Sequence, residues 1–399
     1  MSSISSVNSD NIAYLNGLRG WAALAVAVHH FLVAFYPALI SGNPAEVHTK
    51  DAIECYIATS PLNVLYNGNY FVCIFFVLSG FVLSYKFFKY KNLEMLQSIA
   101  IKRYFRLAIP VFFSVVFAYL LVMFSLFFNQ QAADITLSSW WLKIFWNEAP
   151  QPILQIIRIA FVEVFLDSNC YYNTCFWTMQ IELFGSFMVF AFLALFSVSQ
   201  NRYIIYGILT FVLLHYKQVY LAGILGGVVL CDLFVNKPAF YKYLSSKSWL
   251  LLILGIFFGS YPSASGNPLY LAMHFEAFSA MSFYHVIGAL LTLAAILTNP
   301  FLMKVLSSRI SQTLGTWSFS MYLIHVPIIG SLCSYLFLKF QFVGSYHLTT
   351  FMVFVIYIFI LFILSRYATL YIDRKAIDIS NIIYNRIFKK AATPSKIEI

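Results

Sequence analysis

Ten apolar stretches, nearly free of charge, constrain this chain more than any other feature. They lie at about 18–40, 69–88, 107–128, 177–199, 203–216, 219–235, 249–262, 280–298, 313–337 and 348–371. A helix needs about 20 consecutive apolar residues to cross a bilayer. In hydrocarbon every backbone N–H and C=O must be satisfied internally, which leaves helices and closed barrels. The expected fold is therefore all-α: a polytopic membrane helical bundle of about ten transmembrane helices. The fifth and seventh stretches are short, so tilt, half-insertion or cover by neighbours is expected there. A further stretch, 153–166, carries Arg158 and Glu163 and is too short to cross; it reads as an interfacial or re-entrant helix. Composition agrees, with 61% hydrophobic and 10% charged residues, where a soluble domain carries about 25% charged.

The net charge is +10. On a soluble protein that would suggest nucleic acid. Here position explains it, so the expected surroundings are membrane lipids, with no nucleic-acid partner. If ten spans put both termini inside, only Lys50, Lys143, Arg158, Lys217 and Lys339 fall outside. The other twenty basic residues fall inside, the bias that cytoplasmic loops carry. The expected divisions are a cytoplasmic segment 1–17, a transmembrane domain 18–372 and a basic cytoplasmic tail 373–399 able to lie on the inner leaflet. MSSISSVNSDNIAY is polar and lacks a basic start, so the first span is expected to act as an uncleaved anchor. Nothing in the sequence distinguishes plasma membrane from endomembrane.

Ionisable residues inside spans are expensive and mark functional sites by default. The first span, LRGWAALAVAVHHFLVAFYPALI, carries Arg19 at one end and His29 and His30 near its middle. Eleven residues make about three helical turns and about 16 Å of rise, so Arg19 and His30 share a face within roughly 20°. His29 points about 100° away and reads as structural. His30 suits a general base, its ordinary pKa lying near 6.5. The bland alternative is a histidine satisfied by a neighbouring helix. Arg19 is either a snorkelling anchor or an anion contact beneath the histidine.

Arg103 and Arg106, in IKRYFRLAIP, are three apart at the start of a helix and share a face. Two guanidinium forks on one face suit phosphates, although positive-inside bias alone accounts for them. Glu182, in FWTMQIELFGS, needs a partner or a wet cavity. It could orient a histidine, bind a polar acceptor or pair with another helix. His325, in LGTWSFSMYLIHVPI, poses the same question. His285 has no motif around it and reads as structural. The Ser-Gly pair in FFVLSGFVLS reads as packing that presses the second span against the first. Cys73, Cys231 and Cys333 fall inside spans, whereas Cys55, Cys170 and Cys175 fall outside, where at most one disulfide can form among three. No local His/Cys ligand spacing exists, so no metal site is expected.

Taken together, these stretches resemble the acyltransferase 3 family of multi-pass membrane acyltransferases. LRGWAALAVAVHH resembles its pattern of a basic residue, a ten-residue gap and a histidine, at Arg19 and His30. FFVLSGFVLS resembles its second-helix motif, and KRYFRLAIP its RxxR element. FWTMQIELF resembles its fourth-helix motif, at Trp177 and Glu182. LGTWSFSMYLIHVPI resembles its late element, at Tyr322 and His325. The chain departs at Met179, where Leu is usual, and at Phe319, where Tyr is common.

The resemblance implies transfer of an acyl group, commonly acetyl, from acyl-CoA as co-substrate, with no permanently bound cofactor, to a hydroxylated acceptor such as a glycan, lipid or small molecule. It implies His30 and Glu182 as catalytic, Arg19, Arg103 and Arg106 as donor-binding, and Trp177, Tyr322 and His325 as supporting residues. The rival expectation is a secondary transporter or lipid flippase, which also buries His and Glu in its spans. Inverted repeats and Gly/Pro-broken helices in two matching halves would mark it, and neither is apparent in the sequence.

Overall fold

In the computed structural model of the chain, residues 12–388 are described, apart from 265–266, 277–278 and the side chain of Leu269. Most of the expected 1–17 segment, and Lys389, Lys390 and Lys396 of the tail, lie outside the described residues. The described residues form helices joined by loops, with no strand among them. Ten apolar helices build the bundle: α1 (Ala13–Phe35), α2 (Gly68–Tyr90), α3 (Leu93–Met123), α4 (Trp177–Phe196), α5 (Arg202–His215), α6 (Val219–Asn236), α7 (Ser248–Gly259), α8 (Ala280–Thr298), α9 (Arg309–Ile328) and α10 (Tyr346–Ala368). A π-helical turn, Ile329–Cys333, carries α9 on to Phe340, and another, Thr369–Asp373, carries α10 into Arg374–Phe388. Eight of these helices are long and apolar enough to cross a membrane; α5 and α7, the two short stretches of the sequence, have 14 and 12 residues.

Two boundaries differ from expectation, each for a physical reason. α1 ends at Phe35, not Ile40, because Pro37 has no N–H to continue the ladder and forces Tyr36 out of helical geometry (φ −140°, ψ 61°). α3 begins at Leu93, well before the apolar run, because Asn92 caps it by accepting from the Met95 N–H at 2.9 Å. Arg103 and Arg106 therefore sit roughly three to three and a half turns inside the helix rather than at its start. The described part of the basic tail, to Phe388, is helical and packs on α3, where Lys102 donates to Asn381 at 3.2 Å and lies over the Tyr384 ring. The 153–166 segment is helical with a π turn, buries Ile156, Ile159, Ala160, Val164 and Phe165, and pairs Arg158 with Glu163 at 3.0 Å. All six cysteines are free.

Helix contact in lipid is driven by close packing rather than by the hydrophobic effect. α1 lies against α9 where a Cβ on Gly20 would come within 2.3 Å of the Gly315 nitrogen, and one on Gly315 within 2.2 Å of the Asn16 oxygen. α2 lies against α6 at Gly80 and Gly227, where an added Cβ would meet the Ile224 and Val77 carbonyl oxygens at 1.9 and 2.0 Å. The Ser-Gly pair thus presses α2 onto α6, not onto α1 as the sequence suggested. Backbone atoms cannot move aside, so Gly20→Val should cost at least the ~1–3 kcal/mol of ordinary overpacking and lower the melting temperature of the detergent-solubilised protein. Gly207→Ala, where a Cβ meets nothing within 4 Å, should leave it unchanged or slightly raised. Equal melting temperatures for wild type and Gly20→Val would refute the α1–α9 contact.

Candidate active site

A cavity of about 420 Å³ is enclosed by α1, α2, α3, α4 and α9, within the usual range of ~300–1,000 Å³ for a ligand site. Arg19, Arg103, Arg106, Glu182 and Asp373 all reach its wall. The charges are not equivalent. Arg103 is ion-paired to Glu182 through Nη2 and Oε1, and its Nε donates to Ser186 at 2.8 Å. Ser79 donates to the same Glu182 oxygen at 2.6 Å. This network ties α2, α3 and α4 together and fixes one guanidinium. Arg19 and Arg106 share the cavity wall with the Asp373 carboxylate. Three cations and two anions leave the cavity positive, which suits a polyanionic ligand.

The cavity's wall also includes Phe75, Thr178 and Tyr322. The Thr178 and Tyr322 hydroxyls are 2.9 Å apart, and both lie within reach of the Cys175 carbonyl, at 2.8 and 3.3 Å. One helical turn beyond Tyr322 lies His325, and beside it His30, the two ring centroids 5.0 Å apart. Arg19 and His30, joined by helical phase in the sequence, therefore belong to one column, with the arginine in the cavity and the imidazole past Tyr322.

Hydrogen bonds fix the tautomers. His30 Nδ1 lies 3.0 Å from the Val26 carbonyl, which can only accept, so Nδ1 carries the proton and Nε2 holds the lone pair. The same Nδ1 lies 3.1 Å from His325 Nε2. His325 Nδ1 faces the Met321 carbonyl at 3.2 Å, so its Nε2 is an acceptor turned toward His30 and toward Cys175 Sγ at 3.5 Å. His30 is half-buried and His325 fully buried. The result is an imidazole with a free Nε2 lone pair, held at Nδ1 beside a second imidazole. Such an arrangement can take a proton at His30 Nε2 and share the resulting charge through Nδ1–H with His325.

Two prolines bring the segment between α3 and α4 to this pair. Pro327 cannot donate to Leu323, and that carbonyl instead accepts from Ser114 Oγ at 2.5 Å and Asn173 Nδ2 at 2.7 Å. Pro37 likewise frees the Val33 carbonyl, which accepts from Ser138 Oγ at 2.7 Å. Asn173 is two residues from Cys175, and Ser138 three from Trp141, whose ring lies over His30 at 5.4 Å.

The structure brings together most of the residues singled out by sequence. Arg19, Arg103, Arg106, Glu182 and Tyr322 meet at the cavity, and His30 meets His325. Glu182 does not orient an imidazole here; Arg103 and Ser79 take its Oε1. Trp177 packs on Tyr220 and Phe76 rather than lining the cavity. His29 is held by the Tyr66 carbonyl at 2.9 Å and by close approach of Gly68, and His285 by Asn67, Asn69 and Tyr261, so both are structural. Sequence reasoning missed Ser79, Cys175, Thr178, Asp373 and Trp141. Cys175 and Thr178 flank the first residues of the Trp177–Glu182 motif, which was the one local signal for them; Trp141 lies in a loop with none.

The profile of the family described as Acyltransferase domain matches residues 12–369. Among characterised proteins, the chain is 23% identical to Acyltransferase R4 of a Phoma species, over 80% of this chain and 83% of that one. It is 22% identical to O-acetyltransferase PaAT-1 of Phomopsis amygdali, over 97% of this chain and 87% of that one. No solved structure matches it significantly. The matched profile spans α1 to α10 and contains the histidine pair and every cavity residue named above but Asp373, so the chain belongs to the acyltransferase 3 family of membrane acyltransferases.

Proposed function

We propose that this acyltransferase is an integral membrane O-acyltransferase that moves an acyl group, acetyl in the simplest case, from acyl-CoA to a hydroxylated acceptor, with His30 as general base. The observation that carries this reading is a positive cavity that reaches Tyr322, one turn from His325, with His30 beside that histidine, its Nδ1 held by a carbonyl and its Nε2 left basic. The name of the Phomopsis relative, an O-acetyltransferase, supports oxygen as the acceptor atom and acetyl as the group. The same reading makes the cavity face the cytoplasm, where acyl-CoA is found, in keeping with the excess of basic residues at that end.

The chemistry follows from the parts. Arg19 and Arg106 take donor phosphates, while Arg103, held by Glu182, adds charge and shapes the wall. The pantetheine arm extends past Phe75 and Tyr322 toward His30. The acceptor hydroxyl gives its proton to His30 Nε2, and its oxygen bonds to the thioester carbonyl carbon. The C–S bond then breaks, and the CoA thiolate leaves with the proton that His30 held. His325 supports the transient imidazolium through the Nδ1–H of His30. Tyr322 and Thr178 are the hydroxyls nearest the path, and they suit the developing oxyanion.

Removing the base should cost about 10²–10⁴ in transfer rate. His30→Ala, purified and confirmed folded by its melting temperature, should therefore show almost no acyl-CoA-dependent transfer; full retained transfer would sink the assignment. Arg106→Ala removes one charged contact, worth about 1.5–3 kcal/mol, and should raise the apparent KM for acyl-CoA by roughly tenfold or more with little change in kcat. An unchanged KM takes Arg106 out of the donor site. Arg103→Ala strands Glu182 in a partly buried site, where a broken pair approaches the ~3–5 kcal/mol of a fully buried one. Its melting temperature should fall further than that of Arg103→Ala combined with Glu182→Ala, and the reverse order would remove the pair's structural role.

A further inference from the structure

His30, Cys175 and His325 come from three distant parts of the chain, yet one nitrogen of each imidazole and the thiol sulfur all lie within 4.8 Å of one another. We propose that these three residues bind a soft d¹⁰ cation, Cu⁺ or Zn²⁺, and that the bound metal switches the acyltransferase off by occupying its base. The expectation of no metal site rested on local spacing, which cannot register ligands 145 or more residues apart.

The geometry is that of a ligand set before closure. Metal–nitrogen bonds of ~2.0–2.1 Å and a metal–sulfur bond of ~2.3 Å, arranged tetrahedrally, put two nitrogens ~3.3 Å apart and nitrogen and sulfur ~3.5 Å apart. The two edges present here are 3.1 Å, between His30 Nδ1 and His325 Nε2, and 3.5 Å, between His325 Nε2 and Cys175 Sγ. Only the third edge has to shorten. His325 is already set as a ligand, because its Nδ1 is turned to the Met321 carbonyl and its Nε2 lone pair faces the site. Backbone carbonyls commonly orient ligating histidines in this way. The Cys175 end is anchored as well: Asn173, two residues away, is fixed to the Leu323 carbonyl.

Donor chemistry narrows the cation. One thiolate with two imidazoles is a soft set that suits Cu⁺ or Zn²⁺ and not the oxygen-seeking Mg²⁺ or Ca²⁺. Binding requires the thiolate, so one proton leaves Cys175 for solvent as the metal–sulfur bond forms. With Cu⁺ the completed site is neutral, and with Zn²⁺ it carries a single positive charge. Among buried surroundings the neutral complex is the less costly. Cys175 and His325 are fully buried, whereas His30 is only half-buried and gives the ion a way in. His30 would bind through Nδ1, so its proton would move to Nε2 and cover the lone pair on which acyl transfer depends.

The binding claim stands without any transferase assay; the switching claim rests on the proposed function. Full-length protein in detergent, freed of metal with a chelator, would be titrated with Zn²⁺, and anaerobically with Cu⁺, and bound metal counted after desalting. The expected result is one tightly held ion per chain, a rise in melting temperature on binding, and a thiolate-to-cobalt charge-transfer band when Co²⁺ is used as probe. Cys175→Ser, His325→Ala and His30→Ala should each weaken binding by at least about 10–100-fold; Cys55→Ala and Cys170→Ala should not. The cobalt band on wild-type protein reports the thiolate ligand even if a variant fails to fold. No stoichiometric ion, no thiolate band, or binding that survives both Cys175→Ser and His325→Ala overturns the site. In the transfer assay, activity should fall as the site fills and return with chelator. Full activity with the site occupied overturns the switch while leaving the site.

Discussion

In hydrocarbon a backbone carbonyl without a donor costs several kcal/mol, and two prolines create two such carbonyls in the helices that carry the histidines. Pro37 frees Val33 on α1, and Pro327 frees Leu323 on α9. Neither can be left bare. Ser138 and Asn173, both from the long connection between α3 and α4, and Ser114 from α3 satisfy them. This need fixes more than two hydrogen bonds. It draws the loop down onto the ends of α1 and α9, and so delivers Trp141 to His30 and Cys175 to His325. A connection built of short helices and turns thereby becomes part of a precise site.

The second constraint is charge. Five ionisable side chains meet at one cavity, and burying them is tolerable because each sign has partners and the space is wide enough for solvent. The Arg103–Glu182 pair, braced by Ser79 and Ser186, is the rigid part. Arg19 sits on α1 in phase with His30, so the position of the arginine in the cavity and that of the imidazole beyond Tyr322 are set by one helix. The close crossing at Gly20 and Gly315 then locks α1 against α9, and with it His30 against His325. Bulk at either glycine would separate His30 from His325.

How far the sequence reached depends on the range of the interaction. Apolar runs located every one of the ten helices, including the two short ones, because that signal is local and about 20 residues long. Helical phase placed Arg19 under His30, and three-residue spacing put Arg103 and Arg106 on one cavity wall, for the same reason. The boundaries at Phe35 and Leu93 were misplaced because hydropathy registers neither a proline's missing N–H nor an asparagine cap. The partner of Gly80 was misassigned because small residues reveal that a helix approaches closely, not which helix. Cys175 and Trp141 were out of reach altogether, since what places them is a carbonyl on another segment freed by a proline.

The same reasoning bears on one departure from the family pattern. Phe319, where Tyr is common, lies on the wall of the cavity below Tyr322. On α9 it is three residues before Tyr322 and six before His325, so the three side chains climb one stretch of the cavity and its far end. Losing a hydroxyl there makes the passage between the arginines and Tyr322 more apolar, while the guanidinium end keeps its charge. For the proposed donor that division is apt, because phosphates gain from Arg19 and Arg106 whereas the arm beyond them carries few charges to satisfy. The polar group that such a passage still needs is supplied at its end by the Tyr322 and Thr178 hydroxyls, 2.9 Å apart. Both hydroxyls also lie within reach of the Cys175 carbonyl, at 2.8 and 3.3 Å, so the same residue that meets His325 through its thiol holds this pair through its backbone.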